Sequence, residues 1–167
     1  MANQELSPCS FGSDGRCGSL GSTKTVFSGD DSKELRHCNH DISMHIYRLL
    51  HTKEPITETE LIINRFQTDH IPDDSTICPY HRYNLGIGYR PSQKCVHPNH
   101  KGRGKGISKT VNQSTSDLAY ANYRVRLKIG DGLCRKCRED TNLKADQGNL
   151  GMNIYFFRLS TPLGNIG

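Results

Sequence analysis

A small α+β domain held together by something other than a large apolar core is what this sequence predicts. Three observations carry that prediction. Only 34% of the 167 residues are hydrophobic and none is Trp. Burial alone therefore struggles to offset roughly 1–2 kcal/mol of backbone entropy per ordered residue. The chain has seven Cys and eight His, and most of the Cys fall beside a His or a second Cys at the short spacings that let two side chains grip one metal ion. The expected fold is thus a zinc-stabilised, zinc-finger-like domain, with a treble-clef arrangement as one of its forms, preceded by a helical pair and flanked by disordered termini.

Residues 1–33 read as a polar tail of Gly, Ser, Asn and Asp without periodicity. Cys9 and Cys17 lie there with no neighbouring ligand and are expected to be free thiols. Residues 34–74 hold the helical pair. Asp41 is the expected N-cap of a helix with Ile42, Ile46, Leu49 and Leu50 on one stripe. Pro55 ends it, and Thr57 with Glu60 forms a capping box that opens a second helix bearing Leu61, Ile62, Ile63 and Phe66. Residues 75–140 form the Cys/His module. There Ser116 is expected to cap a short helix through Tyr120. Val125, Leu127 and Ile129 alternate with Arg124, Arg126 and Lys128, the period of a half-buried strand. Residues 141–167 are expected to be an irregular tail or one late strand at 152–159. No internal repeat is visible.

Four Cys/His groups are informative: His37-Cys38-Asn39-His40, Cys78-Pro79-Tyr80-His81, Cys95-Val96-His97-Pro98-Asn99-His100 and Cys134-Arg135-Lys136-Cys137. Zinc takes four such ligands tetrahedrally, usually as two pairs from distant parts of the chain. Contiguous closure would join Cys78 and His81 to Cys95 and His100. The rival closure joins them to Cys134 and Cys137, leaving Cys95 with His97 or His100, and the Cys38/His40 group, for a second ion. Both remain open, as does the choice between one ion and two. His97, Cys38 and His40 are the lesser candidates. His45, His51 and His70 are expected to be ordinary histidines.

The stretch T-I-C-P-Y-H-R-Y-N-L-G-I-G-Y-R-P-S-Q-K-C-V-H-P-N-H, followed by G-D-G-L-C-R-K-C-R, resembles a Cys/His module of animal proteins. Its pattern is C-P-x-H-R-x-x-L-G, then C-x-H-P-x-H, then G-x-C-x-x-C-R. The resemblance covers about residues 76–138. It implies zinc binding through Cys78, His81, Cys95, His100, Cys134 and Cys137, and no activity.

Composition also narrows function. No run approaches the ~20 apolar residues of a membrane span, and the first residues lack the pattern of a signal peptide. An intracellular protein, nuclear or cytoplasmic and without a disulfide scaffold, is expected. Net charge is only +5, yet residues 75–116 contain no Asp or Glu and seven Lys or Arg. Lys101, Arg103 and Lys105 alternate with Gly, which lets the backbone approach a phosphate. Tyr83 and Tyr89, interleaved with Arg82 and Arg90, would suit stacking on bases. The leading expectation is a nucleic-acid-binding module without enzymatic activity. The alternative is protein–protein docking through the Ile42, Ile46, Leu49, Leu50 stripe. A remote third is an HNH-like nuclease entered at Asp69-His70-Ile71-Pro72, with His81 or His100 on a metal. That match breaks because Asn84 follows His81, and no Glu lies near the ligands to act as a general base.

Overall fold

The computed structural model describes residues 9–12, 17, 32–68, 71–72, 74–102 and 106–148, with side chains described through residue 142. The expected strand at 152–159, the pair Asp69-His70, and Arg103 and Lys105 lie outside the described residues. The architecture is a small mixed fold of helices and two short antiparallel sheets. In chain order come β1 (Lys33–Glu34), a 3-10 turn (Leu35–His37), α1 (Ser43–Leu50), α2 (Glu58–Phe66), β2 (Thr76–Ile77), α3 (Pro79–Leu85), β3 (Lys109–Thr110), α4 (Gln113–Tyr123), β4 (Gly132–Leu133) and α5 (Arg135–Gly148). β1 pairs with β2 in the register Lys33 to Ile77, and β3 with β4 in the register Lys109 to Leu133. β1 and the helical pair are thereby tied to the first Cys/His group.

The helical pair forms where its periodicity places it. Asp41 lies one residue outside the cap, at which Ile42 stands, and its carboxylate accepts the Ser43 N–H at 2.9 Å. Thr57 and Glu60 make the reciprocal capping box that opens α2. Ile42, Ile46 and Leu50 are buried against Leu61 and Ile129, with Leu49 half-buried beside them. The stripe considered for partner docking is therefore interior. It closes a core, and the large apolar side chains that α1 leaves outside are Met44 and Tyr47.

Residues 125–129 correct the strand expectation. Leu127 and Ile129 are buried as period two requires, but no strand forms there. Side chains take the hydrogen bonds that a neighbouring strand would have taken. Ser116 Oγ donates to the Leu127 carbonyl at 2.7 Å, Arg65 Nε to the Ile129 carbonyl at 3.0 Å, and the Ile129 N–H donates to Asn64 Oδ1 at 2.8 Å. Ser116 is accordingly inside α4 and buried; Asn112 is the cap, accepting from the Thr115 N–H. Asn64 Nδ2 also donates to Ser116 Oγ at 2.9 Å. Asn64→Ala would strand a buried backbone N–H, so a loss of about 1–3 kcal/mol is expected. Urea unfolding checks it.

Three separate apolar clusters hold the elements together. One contains Phe11, Leu35, Cys38, Ile62 and Ile77, and lies under the first sheet. A second contains Val111, Ala119, Leu127, Leu133, Cys134 and Cys137, under the second sheet. The third, around Ile46, Leu61 and Ile129, joins α1 and α2 to the 125–129 segment. Arg65 crosses that junction fully buried, with Nη1 donating to the carbonyls of Leu85 and Gly86.

Candidate metal centre

Each sheet delivers its last residue directly into a ligand. β2 ends at Ile77, Cys78 follows, and α3 begins at Pro79, so His81 falls in the first helical turn beside Cys78. β4 ends at Leu133, Cys134 follows, and α5 begins at Arg135, so Cys137 occupies the same turn position. A strand-to-helix corner of this kind points two side chains three residues apart at one place. The ordinary pair spacing of zinc ligands is the sequence trace of that corner.

Two four-residue clusters result. Cys9, Cys17, Cys78 and His81 bring their ligand atoms within 4.8 Å of one another, and so do Cys95, His100, Cys134 and Cys137. In the first, His81 Nδ1 lies 3.2 Å from Cys78 Sγ, 3.5 Å from Cys9 Sγ and 3.9 Å from Cys17 Sγ. In the second, His100 Nδ1 lies 3.3 Å from Cys137 Sγ and 3.7 Å from Cys134 Sγ. A tetrahedron with metal–sulfur bonds of about 2.3 Å and metal–nitrogen bonds of about 2.0–2.1 Å has nitrogen–sulfur edges of about 3.6 Å. The observed edges bracket that value, so the donor set of both clusters fits a four-coordinate ion.

The backbone around each cluster is arranged for thiolates. The Cys78 N–H donates to Cys9 Sγ at 3.3 Å, and the Cys134 N–H to Cys95 Sγ at 3.4 Å. A hydrogen bond from the Cys137 backbone, with further thiol and His100 contacts, lowers the Cys134 thiol to about 7. Burial, reinforced by the neighbouring thiols, pushes Cys137 up to about 12. Burial likewise pushes Cys9 up to about 11. At Cys9 and Cys137, burial beside other thiols thus disfavours the thiolate until a cation supplies the opposing charge.

Of the predicted ligands, Cys78 and His81 come together, and Cys95, His100, Cys134 and Cys137 come together. Neither expected closure between these groups is the one observed. Cys78 and His81 meet Cys9 and Cys17 instead, so the reading of those two as free tail thiols is corrected. The reason is long-range: Ser10 N–H donates to the Thr76 carbonyl at 2.9 Å, and Phe11 is buried in the first core, which anchors Cys9 against β2. Only ligand counting could have found them, because two pairs on one ion leave Cys78 and His81 needing a further pair. The lesser candidates stay out of both clusters. Cys38 is buried among Leu35, Ile62 and Ile77, and His40 is exposed. His97 is buried with its ring edge-on to Tyr123, its Nδ1 accepting the Asn99 N–H at 3.1 Å.

Two of the proposed nucleic-acid residues are also corrected. Arg82 makes a buried bidentate ion pair with Glu58, at 2.8 and 2.7 Å. Tyr89 donates its hydroxyl to Asp131 at 2.8 Å and stacks under the Arg65 guanidinium, 4.2 Å from its centroid. Both are bound to internal partners, which is why a sequence pattern of alternating Tyr and Arg misled. Arg90 and Lys101 are exposed and Tyr83 is half-buried. No carboxylate belongs to either cluster among the described residues. Comparison with known protein families, curated proteins and solved structures found no match.

Proposed function

We propose that this protein is a zinc-stabilised binding module in which two Cys3His sites act as structural staples, and that it contacts nucleic acid through the basic surface around the second site. Three thiolates with one imidazole form a donor set suited to zinc, and four protein ligands leave no open position for catalysis. The order of a ligand pair, paired strands and a second ligand pair at a helix start is also that of treble-clef zinc fingers, here with helices inserted between the strands. The resemblance to the Cys/His module of animal proteins belongs to the same reading.

The observation that carries the nucleic-acid reading is where the cations fall. Lys94 precedes Cys95, Lys101 follows His100, and Arg135 and Lys136 separate Cys134 from Cys137; all four are exposed. Ligand atoms within 4.8 Å of one another draw these flanking cations around one place, and exposed Lys109 adjoins them opposite Leu133. Clustered cations on a small surface are the electrostatic footprint of phosphate binding. Replacing Lys94, Lys101 and Lys136 by Ala should weaken binding to duplex DNA and flatten the log–log salt slope by up to about three, roughly one per phosphate contact. Zinc content should stay at two ions per chain. Wild-type protein that binds no duplex or single strand in a salt-sensitive way at low ionic strength would overturn the reading.

Protein docking is the second reading, and one groove favours it. A depression of about 960 Å³ between α2 and α4 is lined by Ile56, Ile63, Leu118 and Ala121, with three carboxylates, Glu54, Glu60 and Asp117, against one cation, Arg126. Its occupant would be a basic amphipathic segment of another protein, complementary in charge to those carboxylates. Leu118→Asp would abolish such binding and leave the salt-sensitive DNA affinity in place.

A further inference from the structure

The two halves of the fold share a set of backbone hydrogen bonds around their Cys/His clusters. In the first, the residue after the first Cys donates its N–H to the carbonyl two residues before the third ligand: Ser10 to Thr76 at 2.9 Å. In the second, Val96 does the same to Gly132 at 3.0 Å. The third ligand's own N–H donates to the first ligand's sulfur in both, Cys78 to Cys9 and Cys134 to Cys95. Lys33 faces Ile77 as Lys109 faces Leu133, and Glu34 faces Thr76 as Thr110 faces Gly132. One step on, Leu35 donates to the Ser75 carbonyl at 2.8 Å as Val111 donates to the Asp131 carbonyl at 2.8 Å. The closing helix starts alike, with Arg82 N–H to the Cys78 carbonyl and Arg138 N–H to the Cys134 carbonyl.

The packing repeats as well. Leu35 and Ile77 lie in the first core where Val111 and Leu133 lie in the second. The helix between the paired strands packs on the closing helix in each, α2 on α3 and α4 on α5. The first half differs by an insertion between Leu35 and α2 that contains α1, and α1 supplies much of the third cluster that joins the halves.

Four of the five equivalent positions diverge in charge; the fifth, Lys33 against Lys109, keeps its cation. Where the second half has Lys94, Lys101, Arg135 and Lys136, the first has Pro8, Gly18, Pro79 and Tyr80. Even the matched pair Arg82 and Arg138 parts company, since Arg82 is committed to the internal carboxylate of Glu58.

We infer that residues 9–85 and 95–148 are two copies of one metal-organised unit, the first a scaffold and the second the carrier of the phosphate-binding surface. The assignment of roles rests on the nucleic-acid reading above; the duplication does not. The test uses the full-length, zinc-loaded chain. Cys17→Ser, at an exposed ligand, should keep one zinc ion, at the second unit, and retain salt-sensitive binding to duplex DNA. Cys137→Ser should also keep one zinc ion and lose salt-sensitive DNA binding. Loss of both ions from a variant that stays folded, or retention of both by Cys17→Ser, overturns the two-unit inference. Should either variant fail to fold, cobalt titration of the wild-type apo chain decides: two equivalents with thiolate-to-metal absorption support it, and saturation at one overturns it. If each variant keeps one ion but wild type ignores DNA, the duplication stands, and the nucleic-acid reading and the division of roles fall together.

Discussion

Stripping zinc from the full-length protein with excess chelator is expected to collapse its helical far-UV signal and narrow its amide proton dispersion. A structural zinc site of this kind is worth about 10–16 kcal/mol at neutral pH, whereas a whole domain is stable by only about 5–15 kcal/mol. On the proposed zinc reading, two such sites contribute more than the net stability of a fold of this size. The cores explain the dependence: each of the two ligand-bearing clusters is built of five or six buried residues. Cys134 and Cys137 belong to one of them, so metal loss removes part of the packing directly. Acid should act in the same direction, because ligands must be deprotonated to hold an ion and metal affinity falls as pH falls. Returning two equivalents of zinc should restore both signals. A chain that keeps its full helical signal in chelator would remove the basis for metal-dependent folding.

Arg82→Ala is expected to be the most damaging single substitution away from the ligands. Its guanidinium and the Glu58 carboxylate are 6% and 0% exposed and meet through two hydrogen bonds. Removing one partner leaves a buried charge uncompensated, which costs about 3–5 kcal/mol. Glu58 Oε2 also accepts the His40 N–H at 2.8 Å, so the stranded carboxylate would disturb the segment that leads into α1. The variant Arg82→Met combined with Glu58→Leu should be closer to wild type than Arg82→Ala alone, since no charge is left behind. Urea midpoints of the zinc-loaded proteins measure this. A loss below about 1 kcal/mol for Arg82→Ala would place the pair among surface-like ion pairs and refute the expectation.

Both effects bear on what could be read from residue order. The capping box of Thr57 and Glu60 and the stripe of Ile42, Ile46 and Leu50 were legible because they are written within one or two helical turns. The Cys78/His81 and Cys134/Cys137 pairs were legible for the same reason: a strand-to-helix corner needs only four consecutive residues. Arg82 and Tyr89 were not, because a cation and an aromatic ring look the same in sequence whether they face solvent or a buried carboxylate. The 125–129 segment has the alternation of a strand and the burial of one, yet Asn64, Arg65 and Ser116 complete its hydrogen bonds. Nothing local announces that side chains from two helices will replace a neighbouring strand.

By itself, then, the order of residues determined that this chain is short of apolar residues and which neighbouring Cys and His stand as pairs. Tertiary structure alone decided which pairs meet in one cluster. Cys9 and Cys17 reach Cys78 and His81 because Phe11 and the Ser10 N–H dock on the first sheet. Cys95 and His100 reach Cys134 and Cys137 because the Val96 N–H docks on Gly132 beside the second. Ligand spacing is a constraint of a few residues, satisfied by any corner that turns correctly. Partner choice is settled by strand pairing and core burial between segments more than thirty residues apart, and those contacts leave no periodic trace in either segment.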